Sequence, residues 1–210
     1  MKIKVCGITT LTQLQTLHQL GVNYAGLILY DQSKRFAGEK LHDQKEDVAA
    51  TSIKKIGVFV NAQKHEIKNA VNDFGLYAVQ LHGSENEKFC SAVKQNVAVK
   101  LIKVFRLTGN ENIDELVKPF AAVCDYFLFD TGTEQFGGSG IKFDWTVLRQ
   151  ATVGKPFFLS GGIGPNDVGE IKSFMHPFLF AVDVNSRFET EPGVKDMELV
   201  KQFVNELSNG

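Results

Sequence analysis

Residues 126–130 have the sequence YFLFD, and residues 178–182 have the sequence FLFAV. Both runs are apolar almost throughout and do not alternate between apolar and polar residues. A strand has this composition when both faces of its sheet are covered, as in parallel sheets packed between helices. The two stretches therefore predict an α/β fold built around a parallel sheet.

Similar short apolar runs recur along the chain and alternate with longer amphipathic segments. We predict eight strands, at residues 2–6, 24–29, 55–60, 77–81, 98–105, 125–130, 156–159 and 179–184. The intervening helices are predicted at about 10–20, 43–52, 63–74, 85–95, 111–120, 143–151, 166–174 and 195–207. Eight βα units in 210 residues fit a single-domain (β/α)8 TIM barrel over residues 1–210. The alternative is a doubly wound open sheet, which would need fewer strands and whose G-x-G-x-x-G fingerprint is missing after the first strand.

Local signals mark several helix boundaries. Gly21 supplies a C-terminal stop for the first helix. Ser84 and Glu87 have the spacing of a capping box, which predicts Ser84 as the N-cap of the helix over 85–95. Pro165 is typical of the first turn of a helix.

The composition excludes several classes of protein. The 23 basic and 24 acidic residues give a net charge of -1, and no basic patch predicts a nucleic-acid partner. No apolar run approaches the roughly 20 residues of a membrane helix, and no secretory leader is evident, so we expect a cytoplasmic protein without a membrane partner. The 3 cysteines lack metal-ligand spacing, which disfavours a disulfide framework or a zinc site.

The predicted strand ends carry most of the candidate chemistry, since a TIM barrel places its active site there. Cys6 ends the first strand and Asp130 the sixth, which predicts a general base and a general acid at one mouth. The thiol would need a lowered pKa, for example from a helix N-terminus. Asp130 would need to stay partly protonated, which a like charge on Asp183 could favour. For Cys6 the alternative is an inert core thiol.

Two loops near the C-terminus are candidates for a phosphate site. Gly161 and Gly162 follow the seventh strand, and Ser186 and Arg187 follow the eighth. Glycines let backbone N–H groups approach an anion, and barrels often bind phosphate after these two strands. The alternative is that Gly161-Gly162 only forms a tight turn.

Further polar residues at the mouth are candidates for substrate binding. Arg35 could hold a substrate carboxylate through a bidentate contact, or it could be a solvated loop charge. Gln80, His82 and Asp183 lie at the ends of the fourth and eighth strands, although a structural role is an open alternative for His82. Residues Gly137 to Gly140 could form a loop that closes over substrate.

An ordered set of motifs resembles the phosphoribosylanthranilate isomerase family of tryptophan biosynthesis. The similar segments are KVCGIT at 4–9, GLILYDQSKR at 26–35, GVFVN at 57–61, VQLHG at 79–83, GGSGIKFDW at 137–145, LSGGIGPNDV at 159–168 and PGVKD at 192–196. The resemblance implies a (β/α)8 barrel without a cofactor that acts on a small molecule, N-(5-phosphoribosyl)anthranilate. The reaction would be an Amadori rearrangement to 1-(o-carboxyphenylamino)-1-deoxyribulose 5-phosphate. We expect a monomer or a weak homodimer.

By the same resemblance, Cys6 is the general base, Asp130 the general acid and Arg35 the ligand of the anthranilate carboxylate. The phosphate would lie on Gly161-Gly162 and Ser186-Arg187. The chain departs from the family pattern at two places, because the usual S-P-R is Ser33-Lys34-Arg35 and Arg187 replaces a Gly. An Arg at a position with positive φ would be strained, or its side chain would face solvent or add a cation near the phosphate.

Two other kinds of protein are the competing hypotheses. Another ribose-phosphate barrel enzyme would need a catalytic lysine at a strand end, as in indole-glycerol-phosphate synthase, or metal-binding His and Asp residues, as in an epimerase. A non-catalytic phosphosugar-binding barrel would need the phosphate loops but neither Cys6 nor Asp130.

Overall fold

The computed structural model describes residues 1–132 and 144–208. Its centre is a closed barrel of eight parallel strands in sequence order, and β1 pairs with both β2 and β8. The strands are β1 Lys2–Cys6, β2 Tyr24–Ile28, β3 Lys54–Phe59, β4 Ala78–Leu81, β5 Lys100–Leu107, β6 Tyr126–Thr131, β7 Phe157–Leu159 and β8 Leu179–Val184. This arrangement confirms the (β/α)8 TIM barrel and excludes the open sheet.

Helices cover the outside of the barrel, and a small hairpin follows β8. The helices are α1 Leu11–Gln19, α2 Ala37–Lys40, α3 Lys45–Ala50, α4 Lys64–Phe74, α5 Glu87–Asn96, α6 Ile113–Val117, α7 Thr146–Arg149, α8 Val168–Ser173 and α9 Met197–Ser208. The hairpin consists of β9 Glu189–Glu191 and β10 Val194–Lys195. Within the described residues, every helix is too short or too polar to cross a bilayer.

Alternate residues of the strands face two different layers. On β1, Ile3 and Val5 belong to the outer apolar layer between strands and helices. Lys4 and Cys6 have the opposite parity, and Cys6 faces the barrel interior. The N-terminal half of this interior is filled by a separate aromatic and aliphatic cluster that includes Tyr24 and Phe158. The outer layer and this cluster hold the strand ends in place.

Several predicted boundaries are wrong in detail. The helix predicted at 43–52 begins at Lys45, and α2 and the β9–β10 hairpin were not predicted. Helix α5 begins at Glu87, and Asn86 is its N-cap because its side chain accepts a hydrogen bond from the Phe89 amide. Ser84 does not cap this helix, since its amide and hydroxyl both donate to Asn61 Oδ1. Ser84 thus connects the loop after β4 to the loop after β3 by hydrogen bonds.

Candidate active site

A concave site lies at the C-terminal ends of the strands, where the sequence predicts the chemistry. The space in this cavity and its open mouth together amounts to about 740 Å³. Eight of the predicted site residues line it: Cys6, Gln80, His82, Asp130, Gly161, Gly162, Asp183 and Ser186. The fold therefore brings together both candidate catalytic groups and most candidate substrate ligands.

Cys6 lies at the end of β1 and is 6 % exposed. The neighbouring strand makes room for it, because a Cβ atom built on Gly26 would lie 2.7 Å from Cys6 Sγ. Burial raises the pKa of the Cys6 thiol, whereas the ammonium groups of Lys4 and Lys195 oppose that rise. The surroundings of Cys6 therefore do not lower its pKa in the way that a general base would need. Lys4 and Lys195 are the cations that favour its thiolate.

Lys4 connects Cys6 with the carboxylate of β8. Its fully buried ammonium donates to Asp183 Oδ2 at 2.8 Å, and it lies near enough to Cys6 for the two groups to affect each other's pKa. Although burial alone lowers the pKa of Lys4, the charges of Asp183 and Cys6 raise it above its ordinary value. Lys4 is therefore a cation at neutral pH. It lies between the candidate base and a buried acid.

Asp183 carries a raised pKa, which burial causes and Lys4 opposes. The charge of Asp130 adds to this rise, so the two carboxyl groups interact across the cavity. Among the described residues, Asp183 Oδ1 has no hydrogen-bond partner although it is buried. An oxygen of this kind is a ready acceptor for a substrate hydroxyl.

A short chain of polar contacts leads to Asp130. Gln80 Nε2 lies 3.1 Å from His82 Nδ1, and His82 Nε2 lies 3.4 Å from Asp130 Oδ2. An amide nitrogen can only donate, so Nδ1 accepts and the proton of a neutral imidazole resides on Nε2. His82 therefore presents an N–H group to Asp130. The backbone amide of Thr131 donates to the other oxygen of Asp130 at 2.9 Å.

The loop after β7 contains two consecutive glycines in the left-handed region of backbone conformation. Gly161 and Gly162 both have positive φ, 90° and 67°, which side chains with a Cβ rarely adopt. Both glycines and Ser186 line the cavity, and Ser186 opens a 3-10 turn after β8. The two predicted phosphate loops thus meet at one side of the mouth.

Two predicted ligands do not line the cavity. Arg35 forms a bidentate ion pair with Glu189, with Nε and Nη2 donating at 2.6 to 2.9 Å. Arg187 is exposed in the 3-10 turn, and its Cδ lies 3.0 Å from the position of a Cβ built on Gly164. Among the described non-glycine residues only Asn61 has positive φ, so the expected strain at Arg187 is absent.

Three functional neighbours were missed by the sequence analysis. Lys4 precedes Cys6 by two residues and could have been found, because i and i−2 share a face of a strand. Lys195 and Glu189 lie on the hairpin after β8, and no local pattern places them beside Cys6 or Arg35. Lys195 Nζ donates to Glu189 Oε1 at 2.7 Å and to Asn185 Oδ1 at 2.8 Å.

In residues 1–132 and 144–208, no group of three or more His, Cys, Asp or Glu side chains could hold a metal ion. The loop predicted to close over substrate, Gly137 to Gly140, lies outside the described residues.

Residues 3–206 match the family model described as N-(5'phosphoribosyl)anthranilate (PRA) isomerase. The chain belongs to the PRA isomerase family. Named PRA isomerases from Parabacteroides distasonis and Phocaeicola vulgatus are 38% and 36% identical to it over 99% of its length. These alignments cover 93% and 98% of the two relatives.

Solved PRA isomerases share the fold over almost the whole chain. The enzyme from Thermotoga maritima superposes with a TM-score of 0.85 at 29% identity, covering 100% of this chain and 99% of that one. The enzyme from Thermus thermophilus gives a TM-score of 0.83 at 27% identity, covering 99% and 98%. A further PRA isomerase, at a TM-score of 0.80 and 27% identity, was solved with reduced 1-(o-carboxyphenylamino)-1-deoxyribulose 5-phosphate.

Proposed function

We propose that this PRA isomerase family member converts N-(5-phosphoribosyl)anthranilate to 1-(o-carboxyphenylamino)-1-deoxyribulose 5-phosphate in tryptophan biosynthesis. One observation carries the proposal: a thiol and a carboxyl group on different strands, Cys6 and Asp130, face the same cavity as a double-glycine loop. An aldose-to-ketose isomerisation needs a base and an acid on either side of a sugar carbon, together with a site for its phosphate. Neither of the competing hypotheses requires both Cys6 and Asp130.

Asp130 is the general acid in this proposal. It gives a proton to the ribose ring oxygen, and the ring opens to a protonated Schiff base. The His82 N–H near Oδ2 and the Thr131 amide on Oδ1 then stabilise the aspartate that remains. Gln80 keeps the imidazole in the required tautomer.

Cys6 is the general base. Its thiolate removes the proton from C2 of the sugar, and the protonated Schiff base accepts the electron pair. The product of this step is an enolamine, which tautomerises to the ketone. Because burial raises the pKa of Cys6, we expect kcat/KM to increase with pH across the neutral range. Lys4 and Lys195 stabilise the thiolate while it forms.

Binding groups hold the two ends of the substrate. Gly161, Gly162 and Ser186 bind the phosphate through backbone N–H groups and a hydroxyl, and Arg187 adds a cation at the rim. Arg35 binds the anthranilate carboxylate. Asp183 accepts a hydrogen bond from the sugar through its buried, unpaired Oδ1.

The chain works as one domain over residues 1–210, in the cytoplasm and without a cofactor. Its three cysteines are free and buried, which is typical of a reducing compartment. A Thermotoga maritima relative is described as dimeric, and monomers of it have been generated. In our proposal this chain is a monomer or a weak homodimer.

A fluorescence assay tests the proposal. Phosphoribosylanthranilate is generated in situ from anthranilate and ribose 5-phosphate, and the loss of its fluorescence is followed with the parent protein and with Cys6→Ser and Asp130→Asn. Loss of a positioned acid or base lowers the rate by about 10²–10⁴-fold, so both variants should be nearly inactive. Cys90→Ser is the matched control, since Cys90 is an equally buried thiol outside the cavity. A folded parent without turnover would refute the function.

A further inference from the structure

Arg35 is joined to a residue 154 positions away in the sequence. Its Nε lies 2.9 Å from both carboxylate oxygens of Glu189, and its Nη2 lies 2.6 Å from Oε2. The Arg35 and Glu189 side chains are 14% and 3% exposed. This contact ties the loop after β2 to the hairpin after β8. A bidentate pair with so little solvent access fixes the plane of the guanidinium.

Glu189 is itself held rigidly on its other side. Its Oε1 accepts hydrogen bonds from Lys195 Nζ at 2.7 Å and from the Gly193 amide at 3.1 Å. Although burial alone raises the pKa of Glu189, the hydrogen bonds from Arg35 and Lys195 hold it below its usual value. Glu189 is therefore an anchored carboxylate at neutral pH. Because Glu189 is fixed in this way, the Arg35 guanidinium that it binds is held in a fixed position as well.

The contact occupies only one edge of the guanidinium. Arg35 has five N–H donors, and Glu189 engages those on Nε and one on Nη2. In the described residues, Nη1 has no hydrogen-bond acceptor, so the edge formed by Nη1 and Nη2 is available for a second carboxylate. Arg35, Lys195 and Glu189 together carry one net positive charge. A carboxylate on the substrate would neutralise it.

The position of the pair relative to Cys6 fits such a substrate. A Cβ atom built on Gly7, the residue after Cys6, would lie 2.9 Å from Cδ of Arg35. The aromatic amine of the proposed substrate is bonded to C1, next to the C2 proton that Cys6 removes. In the proposed binding mode, the ortho-carboxylate on that ring lies near Cys6, on the side where Arg35 approaches.

We propose that Glu189 is a positioning residue for carboxylate recognition: it holds one edge of Arg35 so that the opposite edge binds the ortho-carboxylate of the aromatic amine. The inference rests on the function proposed above, which supplies a substrate with that carboxylate. Glu189 acts through Arg35 and does not touch the reacting atoms. Its removal therefore weakens the binding of carboxylated substrates most, whereas the loss of its contact with Lys195 affects all substrates alike.

The test compares two substrates that differ only in the carboxylate. One is the adduct of ribose 5-phosphate with anthranilate, and the other is the adduct with aniline; product formation is followed by chromatography. For the anthranilate substrate, Arg35→Ala should lower kcat/KM by about 100-fold. Glu189→Gln should lower it by about tenfold, mainly through KM. The double variant should lose less than the product of the two single losses, because Glu189 acts on the carboxylate through Arg35.

For the aniline substrate, both substitutions should lower kcat/KM much less than they do for the anthranilate substrate. Glu191→Gln is the matched control, since Glu191 is an exposed carboxylate on the same strand β9, and it should behave as the parent with both substrates. If Glu189→Gln fails to fold by thermal melting, Glu189→Asp keeps the charge but draws it away from Arg35. The same dependence on the carboxylate is then expected.

Four results would overturn the inference, and each has a different meaning. An equal loss on both substrates would make Glu189 a packing residue of the hairpin, and no loss on either would remove its role. A parent enzyme that isomerises both substrates equally well would remove the carboxylate contact itself. A folded parent that isomerises neither would refute the proposed function, and the inference with it.

Discussion

The two halves of the barrel interior are built from opposite kinds of residue on the same strands. The C-terminal half contains the buried polar side chains of Lys4, Gln80 and Asp183. The N-terminal half contains aromatic rings, among them Tyr24 and Phe158. Because alternate residues of each strand face inward, a single strand such as β8 supplies both kinds. The aromatic residues of the N-terminal half therefore stabilise the fold, whereas the polar residues of the C-terminal half form the reactive cavity.

The polar half is energetically unfavourable by itself. Gln80 Oε1 and Asp183 Oδ1 are buried without a hydrogen-bond partner among the described residues, and each such atom costs about 1–3 kcal/mol. The aromatic half offsets this cost through ring packing, such as the contact of Phe158 with Phe180 at a centroid distance of 5.4 Å. Substitutions in the polar half should therefore affect activity, and substitutions in the aromatic half should affect stability alone.

Lys4→Met should give the largest effect, because it disturbs both properties. The substitution leaves Asp183 as a buried charge without its partner, which destabilises a protein by about 3–5 kcal/mol. It also removes one of the two cations that oppose the raised pKa of Cys6, so the thiolate forms only at higher pH. Urea unfolding measures the first effect. The pH dependence of Cys6 alkylation by iodoacetamide measures the second, and its midpoint should move in the alkaline direction.

Lys103→Met is the matched control for this prediction. Lys103 is also buried inside the barrel wall and pairs with Glu85 at 3.1 Å, but it does not line the cavity. Its loss should destabilise the protein to a similar degree without moving the alkylation midpoint. The assignment of Lys4 fails if Lys4→Met leaves that midpoint unchanged in folded protein.

Phe158→Ala should give the next largest effect, and on stability alone. Phe158 is 1% exposed and packs edge to face against Tyr24 and Tyr126 at centroid distances of 5.8 and 5.7 Å. Truncation of such a ring lowers the free energy of unfolding by about 3–5 kcal/mol. The kcat/KM of the remaining folded enzyme should match that of the parent.

The exposed Phe178 provides the comparison for Phe158. It lies just before β8 and is 38% exposed, so Phe178→Ala should destabilise the protein much less in urea. A loss of kcat/KM in folded Phe158→Ala would contradict the separation of the two halves, since it would link the aromatic cluster to the cavity.

The strands could be predicted because they are buried on both faces. Predicted and observed strand boundaries differ by two residues at most, as at β5, which was expected over 98–105 and lies at Lys100–Leu107. Short helices were predicted less well, since α2 and α3 contain few residues and owe their stability to tertiary packing. The β9–β10 hairpin was missed although Pro192-Gly193 between its strands is a turn signal, because the two strands have only three and two residues.

The candidate site was only half predictable for a related reason. Strand-end residues such as Cys6, Asp130 and Gly161 could be found, because the barrel brings every strand end to one mouth. The partner of Arg35 could not, because Glu189 is 154 residues away and reaches it only through the closed fold. Sequence periodicity shows which residues of one strand share a face, as Lys4 and Cys6 do. It cannot show that Lys195, on a distant hairpin, packs near Cys6.

Lys54→Met should give the smallest effect, at the end of the barrel opposite to the cavity. Lys54 Nζ lies 4.8 Å from the ring centroid of Tyr77 and 5.9 Å from that of Tyr24. The side chain is exposed, and an exposed cation–π contact contributes about 0.5–1 kcal/mol. Urea unfolding should show a loss of that size with unchanged kcat/KM. Lys68→Met is the control, because Lys68 is exposed on α4 and no ring contact is described for it. Equal losses of unfolding free energy in the two variants would mean that the cation of Lys54 does not stabilise the rings of Tyr24 and Tyr77. The packing of these rings against each other would then account for the stability at this end of the barrel.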